Sequence, residues 1–202
     1  FKCGIARSDG TIVARQRFAI TSPGETISLC VAFFEAQAAQ LGCGIQSLGI
    51  ASFGPIDVDP ASLKYGTIGQ TPKPGWSNTN LRQSFARALG VDVIVDTDVN
   101  GALAAELAWG AAQNVRRAAY VTVGTGIGAG ISLDGRFVGA PLHPEFGHVR
   151  VQRHEADRSF SGVCPFHGDC LEGLASAKAF TARFGNPEEL APPDPAWQVE
   201  AY

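Results

Sequence analysis

The sequence contains no methionine, and it opens on Phe1-Lys2-Cys3-Gly4-Ile5, which already has the character of a strand. A chain entered mid-strand is expected to be a piece of something longer. The end of the chain reads the same way, because the proline-rich Pro192-Pro193-Asp194-Pro195 leads into the apolar start of a further segment. No apolar run approaches the roughly 20 residues that a transmembrane helix needs, and no signal-peptide pattern opens the chain. The expected location is the cytoplasm, with no membrane partner. An excess of basic charge is also absent. The 16 Lys and Arg against 19 Asp and Glu leave a formal net charge of -3, which argues against a broad cationic surface for nucleic acid. Cysteines are few and odd in number, five in all, unlike the paired framework of a secreted scaffold. Cys3, Cys30 and Cys43 stand singly among apolar residues and read as core thiols.

The remaining composition is that of a globular protein able to bury a core, 45% hydrophobic and 17% charged. Two segments carry the same hairpin signal, alternating apolar residues around Asp-Gly: Phe1 to Phe18 around Asp9-Gly10, and Gly130 to Val138 around Asp134-Gly135. Two lobes built on one template would explain the repeat. Between the hairpins the periodicity alternates. It predicts a helix over Glu25 to Gln40, a strand over Ser47 to Phe53, and a helix over Leu81 to Leu89 with Asn80 as N-cap and Gly90 as terminator. A buried strand over Val91 to Val95 and a helix over Val99 to Trp109 follow. This is α/β order with a partly parallel sheet. The lobe boundary is expected between Ala108 and Val115, giving an N-terminal lobe of residues 1–110 and a C-terminal lobe of 111–202. Lys64 to Asn80 reads as a long surface loop, and Trp76 within it as either a functional aromatic or a packing anchor.

Four stretches carry chemistry. Cys164-Pro-Phe-His167-Gly-Asp-Cys170 offers three soft ligands in seven residues, suited to one tetrahedral Zn²⁺ in a structural role. The fourth ligand must come from upstream, from His143, His148 or His154, and spacing does not choose among them. Gly124-Thr125-Gly126-Ile127-Gly128 follows an apolar strand from Ala118 to Val123, and its glycines would let backbone N–H groups approach an anion. It lacks the Gly-Lys-Ser/Thr ending of a Walker loop, and a strand rather than a helix is expected after it. Asp96-Thr97-Asp98-Val99-Asn100 lies where a strand ends and a helix begins, the place where open α/β sheets gather ligands. Asp98 there is equally suited to chemistry or to capping the helix. Glu145-Phe146-Gly147-His148, with Glu172, forms a candidate polar cluster tied to the metal loop.

Taken together, these motifs and Ser52-Phe53-Gly54-Pro55-Ile56-Asp57 resemble the sugar kinases of the ROK family, in particular the bacterial fructokinase branch. The resemblance implies an actin-like ATPase (ribonuclease H-like) two-lobed fold, incomplete at both ends, with ATP and sugar in the cleft. It implies ATP-dependent phosphorylation of a hexose, fructose to fructose 6-phosphate, with Mg²⁺ and a structural Zn²⁺. Asp98 matches the family's general base. Glu145, His148 and Glu172 match sugar-binding positions, with Asp98 and Gly54 beside the sugar. Gly124, Thr125, Gly126 and Gly128 match the second phosphate loop. The metal ligands implied are His148, Cys164, His167 and Cys170, so the resemblance selects His148 as the fourth. His167 standing where most of the family has cysteine, and Thr97 where many have Asn, both resemble the fructokinase branch. The family's first phosphate loop would precede Phe1 and its adenosine-binding segment would follow Tyr202, so the chain by itself is expected to be inactive. A homodimer is expected for the full-length protein. A ROK sugar-responsive repressor, or a kinase of glucose, mannose or N-acetylmannosamine, is the alternative.

Overall fold

The computed structural model describes residues 1–139 and 144–186. These divide into two compact units, the first Phe1–Val115 and the second running from Arg116 to Val138 and on through residues 144–186. His143, one of the three possible metal ligands, and the proline-rich tail lie outside the described residues.

In the first unit an antiparallel hairpin joins β1 (Lys2–Ala6) to β2 (Ile12–Arg17). Its turn closes as the Asp-Gly signal requires: the Thr11 N–H donates to Asp9 at 2.8 Å and Gly10 takes φ +86. Helix α1 (Pro23–Leu41) then starts on Ser22, whose hydroxyl accepts from the Glu25 N–H, and ends on left-handed Gly42. Thr26, Cys30 and Phe34, four residues apart, form its buried stripe. Burial pushes the Cys3 thiol up to about 12, with Cys30 adding to the effect, so this pair is an inert part of the core. Cys43 differs from the expectation and is exposed. It directly follows the helix terminator and its N–H returns to the Ala38 carbonyl, which fixes it on the surface turn rather than in the core.

Strands β3 (Ser47–Ser52) and β4 (Asp92–Thr97) run parallel, with Ser47 opposite Asp92 and Ser52 opposite Thr97. Helix α2 (Leu81–Leu89) lies in the crossover, capped by Asn80, which accepts from Gln83 N–H, and closed by Gly90. Helix α3 (Asp98–Trp109) follows β4 directly and lies close on β3. A Cβ on Gly101 would come within 2.5 Å of the Ala51 side chain. Val93, Val95, Phe34, Ile68, Leu81 and Phe85 join Cys3 and Cys30 in one hydrophobic core.

The 64–80 loop is anchored rather than free. Trp76 is 1% exposed, its indole N–H donates to the Thr21 carbonyl at 2.9 Å, and its ring stands 5.2 Å from that of Phe1. Trp76→Phe keeps most of the apolar contact but leaves that carbonyl without its donor, so the chain is expected to lose about 1–3 kcal/mol in denaturant unfolding. An unchanged midpoint would show that the indole N–H does not fasten the loop.

The second unit is built on a three-stranded antiparallel sheet of β5 (Arg117–Val123), β6 (Ile127–Leu133) and β7 (Arg136–Phe137). Asp134 and Gly135, with φ of +49 and +79, make the two-residue turn between β6 and β7. The connection before β6 is shorter than expected. Val123 pairs with Ile127, so only Gly124, Thr125 and Gly126 form the turn, and Gly128 lies inside β6 opposite Thr122. Two short helices, α4 (Leu171–Ala175) and α5 (Ala177–Phe184), complete the described part of the unit. Among the described residues no helix is long and apolar enough to cross a membrane.

Candidate functional site

The chemistry-bearing residues of the first unit gather at the carboxyl ends of β3 and β4. Because Ser52 is opposite Thr97, the chain leaves both strands side by side, one into Phe53-Gly54 and the other into Asp98. The structure decides which residue caps α3. Thr97 is the N-cap, its hydroxyl accepting from the Asn100 N–H at 3.2 Å, while Asp98 is the first helical residue. Among the described residues Asp98 accepts only from the adjacent Val99 N–H, at 3.0 Å, and it is exposed. Capping is therefore supplied by Thr97. Behind it Asp96 accepts from both the Thr97 N–H at 2.7 Å and the Asn100 amide at 2.8 Å, which braces the strand-to-helix corner that presents Asp98.

In the second unit the metal-binding candidates come together. Cys164 and Gly168 exchange two backbone hydrogen bonds, at 3.2 and 2.9 Å, closing a tight knuckle around Pro165, Phe166 and His167, with Gly168 at φ +63. The Leu171 N–H donates to the Val149 carbonyl at 2.9 Å and so draws the start of α4, with Cys170, alongside His148. The ligating atoms of His148, Cys164, His167 and Cys170 all lie within 4.8 Å of one another. His148 Nδ1 stands 3.7 Å from Cys164 Sγ and 3.6 Å from Cys170 Sγ, and His167 Nδ1 is 3.8 Å from Cys164 Sγ. A tetrahedral ion with bonds of about 2.3 Å to sulfur and 2.0–2.1 Å to nitrogen requires sulfur and nitrogen ligands ~3.6 Å apart. The spacing and the donor set fit such an ion. His154 takes no part. Its Nδ1 accepts from the Ala156 N–H at 3.2 Å and starts a 3-10 turn over Glu155–Asp157.

Around the cluster, a half-buried ion network fixes the segment between His148 and Cys164. Asp157 is paired through both carboxylate oxygens with Arg183, whose guanidinium also donates to the Leu174 carbonyl at 2.9 Å and lies 4.1 Å over the Phe160 ring. Burial pushes the Asp157 carboxyl up, but the hydrogen bonds and charge of Arg183, then those of Arg153, hold it below the usual carboxylate range.

Glu145 and His148 share a cavity of about 570 Å³ with Pro144, Val149, Phe166 and His167. Glu145 sits in the left-handed region at φ +47, a conformation an L side chain rarely adopts, and its carbonyl accepts the His148 N–H at 2.9 Å. His148 Nδ1 turns toward the sulfurs and its Nε2 toward Glu145, 3.9 Å from Oε2. Glu172 is not among the residues lining this cavity; its Oε2 accepts the Ile127 N–H at 3.0 Å, beneath the Gly124–Gly126 turn. Sequence reasoning missed Ile127 as a site residue, because a contact across 45 positions leaves no local signal. Thr125 lines a second, open cavity of about 400 Å³ with Ala177, Lys178, Thr181 and Ala182. The Ala177 N–H donates to the Gly124 carbonyl at 2.7 Å and ties α5 to the turn.

The described residues form two α/β units, the second carrying a Gly-rich hairpin turn and a Cys/His cluster whose spacing suits a metal ion. The chain belongs to the ROK family, whose model matches residues 1–197. It is 45% identical over 185 residues to a fructokinase of Zymomonas mobilis, an alignment covering 92% of this chain and 62% of that protein. It is similar in structure to a ROK hexokinase from Thermus thermophilus, with a TM-score of 0.71 and 24% identity over 92% of this chain and 63% of that one. A ROK family glucokinase from Streptomyces griseus, solved in complex with glucose and AMPPNP, aligns with a TM-score of 0.63 and 26% identity, covering 89% of this chain and 55% of that one. The fold is the actin-like ATPase fold of these proteins. The chain spans less than two thirds of the length of each of these three relatives.

Proposed function

We propose that the full-length protein carrying this chain is an ATP-dependent hexose kinase that phosphorylates fructose to fructose 6-phosphate. The observation that carries this reading is the position of Asp98: a carboxylate where β4 gives way to α3, next to the end of β3 from which the chain runs on to Gly54, with the capping task taken by Thr97. Similarity to a fructokinase supports the choice of acceptor. Asp98 accepts the proton of the sugar hydroxyl as its oxygen attacks the γ-phosphorus of ATP, the bond from that phosphorus to the bridging oxygen breaks, and ADP leaves. Transfer of this kind depends chiefly on positioning and charge stabilisation, so a well-placed carboxylate and backbone donors are what the protein must supply. ATP arrives as its Mg²⁺ complex, the ion offsetting phosphate charge.

In this reading Gly124, Thr125 and Gly126 present the turn to phosphate, and Glu145, His148 and Glu172 contact sugar hydroxyls, with Gly54 close to the sugar. His148, Cys164, His167 and Cys170 hold a structural Zn²⁺, which supplies a rigid cross-link and no step of the reaction. His148 would serve both sites, Nδ1 toward the metal and Nε2 toward the sugar. The full-length protein acts in the cytoplasm as a homodimer.

The test is ADP formation by the full-length protein with fructose, glucose, mannose and N-acetylmannosamine as acceptors. Fructose is expected to show a kcat/KM at least ~10-fold above the others, the discrimination that a few hydroxyl contacts supply. Turnover confined to the amino sugar would keep the kinase and overturn the acceptor; no turnover with any of the four would overturn the kinase reading.

A further inference from the structure

Ile127, the first residue after the Gly-rich turn, is enclosed from two sides by the segments that carry the metal ligands. Its N–H donates to Glu172 Oε2 at 3.0 Å, and Glu172 stands two residues beyond Cys170. Its carbonyl lies against Gly147, which directly precedes His148. A Cβ at Gly147 would fall 2.1 Å from that oxygen, so no side chain fits there. At Gly126 a Cβ would meet Glu172 Oε2 at 2.6 Å, so a side chain there would displace the carboxylate from its place beside the turn. Ile127 is itself buried, 8% exposed.

We propose that Glu172 is a positioning residue for the Gly124–Gly126 turn, acting through the Ile127 amide, and that through it metal binding and phosphate binding are coupled. This rests on the reading that the turn contacts nucleotide phosphate. The chemistry of the contact favours bracing over direct phosphate contact. A carboxylate facing a polyphosphate would repel it, whereas a carboxylate that accepts a backbone N–H from behind the turn fixes the backbone and leaves the turn to meet the anion. A charge-assisted hydrogen bond of this type is stronger than a neutral one. A turn held in advance also binds without first losing conformational freedom. Because His148 and Cys170 are the ligands next to Gly147 and Glu172, an ion that holds both fixes both sides of Ile127. Such a coupling is reciprocal, so nucleotide must tighten the metal by the factor by which the metal tightens nucleotide.

Glu172→Gln and Glu172→Ala in the full-length, metal-loaded protein separate this role from sugar contact. Gln keeps an oxygen that can accept from Ile127, and Ala removes it. Amide exchange at Ile127 and MgADP affinity by calorimetry are measured for each, with the KM for sugar alongside. Glu172→Ala is expected to speed exchange at Ile127 and to raise the Kd for MgADP, each by about 10-fold or more. Glu172→Gln, which keeps the acceptor and loses the charge, should change both by clearly less than Glu172→Ala does, while the KM for sugar rises. Chelation of the metal from the unmodified protein should reproduce the Ala result, which keeps the question open to test if Glu172→Ala does not fold. Unaltered Ile127 exchange and MgADP affinity in Glu172→Ala, or after chelation, would overturn the proposal, as would a Gln variant that behaves like Ala. An unmodified protein that turns over no sugar yet binds MgADP defeats the kinase reading and leaves these comparisons decisive. Failure to bind MgADP at all would overturn the phosphate half of the proposal.

Discussion

Asp98→Asn is expected to lower kcat of the full-length kinase by about 10²- to 10⁴-fold, the range for losing a general base. The KM for sugar should change little. Asn fills the same volume and its amide oxygen can still accept from the Val99 N–H, now 3.0 Å from the carboxylate, but it cannot take the proton of the attacking hydroxyl. The competing account, that Asp98 serves the helix, makes a different prediction. An N-cap residue replaced by Asn should hardly matter, because Asn is itself a good cap. In the structure that role belongs to Thr97, so the two accounts separate on two substitutions. Thr97→Ala is expected to cost about 1 kcal/mol of stability through the lost cap, while Asp98→Asn should leave the unfolding midpoint nearly unchanged and remove turnover. Near-normal kcat in Asp98→Asn would reduce Asp98 to a residue of the first helical turn. An unfolding midpoint left unchanged by Thr97→Ala would show that Thr97 does not supply the cap.

Much of the fold was legible because its signals are local. Asn80 and Gly90 bound α2 as read, the two Asp-Gly turns form where expected, and Ser47 begins β3. The failures share one physical cause. Thr97 and Asp98 are adjacent and both are good capping residues, so only the backbone shows which of them stands outside the helix. Gly128 and Gly130 weaken any strand signal, yet seven paired positions with β5 hold them in β6, a tertiary contact that overrides propensity. Cys43, between Gly42 and Gly44, lies just past the left-handed turn at Gly42 and is exposed, whereas Cys30, between Leu29 and Val31, lies on the buried stripe of α1. At the candidate site, the three ligands of the Cys164 knuckle could be read from spacing. The choice of His148 rested on resemblance, and its spatial basis is the bond from Leu171 to Val149, which no spacing rule contains. The contact of Glu172 with Ile127 was invisible for the same reason.

Removing the metal is expected to cost residues 144–186 their fixed structure while the β5–β6 hairpin and the first unit keep theirs. The binding free energy of a structural Zn²⁺ is about 10–16 kcal/mol in small zinc domains at neutral pH, comparable to the whole stability of an ordinary domain, about 5–15 kcal/mol. The described helices of the second unit are five and eight residues long, too short to persist without packing. The knuckle that starts α4 is closed by two backbone hydrogen bonds. The first unit has its own core around Cys30, Phe34, Trp76 and Val95. One Zn²⁺ per chain is therefore expected by metal analysis. Chelation should open residues 144–186 to proteolysis while the buried Trp76 keeps its near-UV signal. His148→Ala is expected to empty the site and reproduce the chelated state, whereas His154→Ala, which removes only the acceptor for the Ala156 N–H, should retain the metal and cost about 1 kcal/mol or less. Metal lost from His154→Ala and kept by His148→Ala would overturn the ligand set, and a chain equally protease-resistant with and without its ion would show that the four side chains are held together by the fold alone.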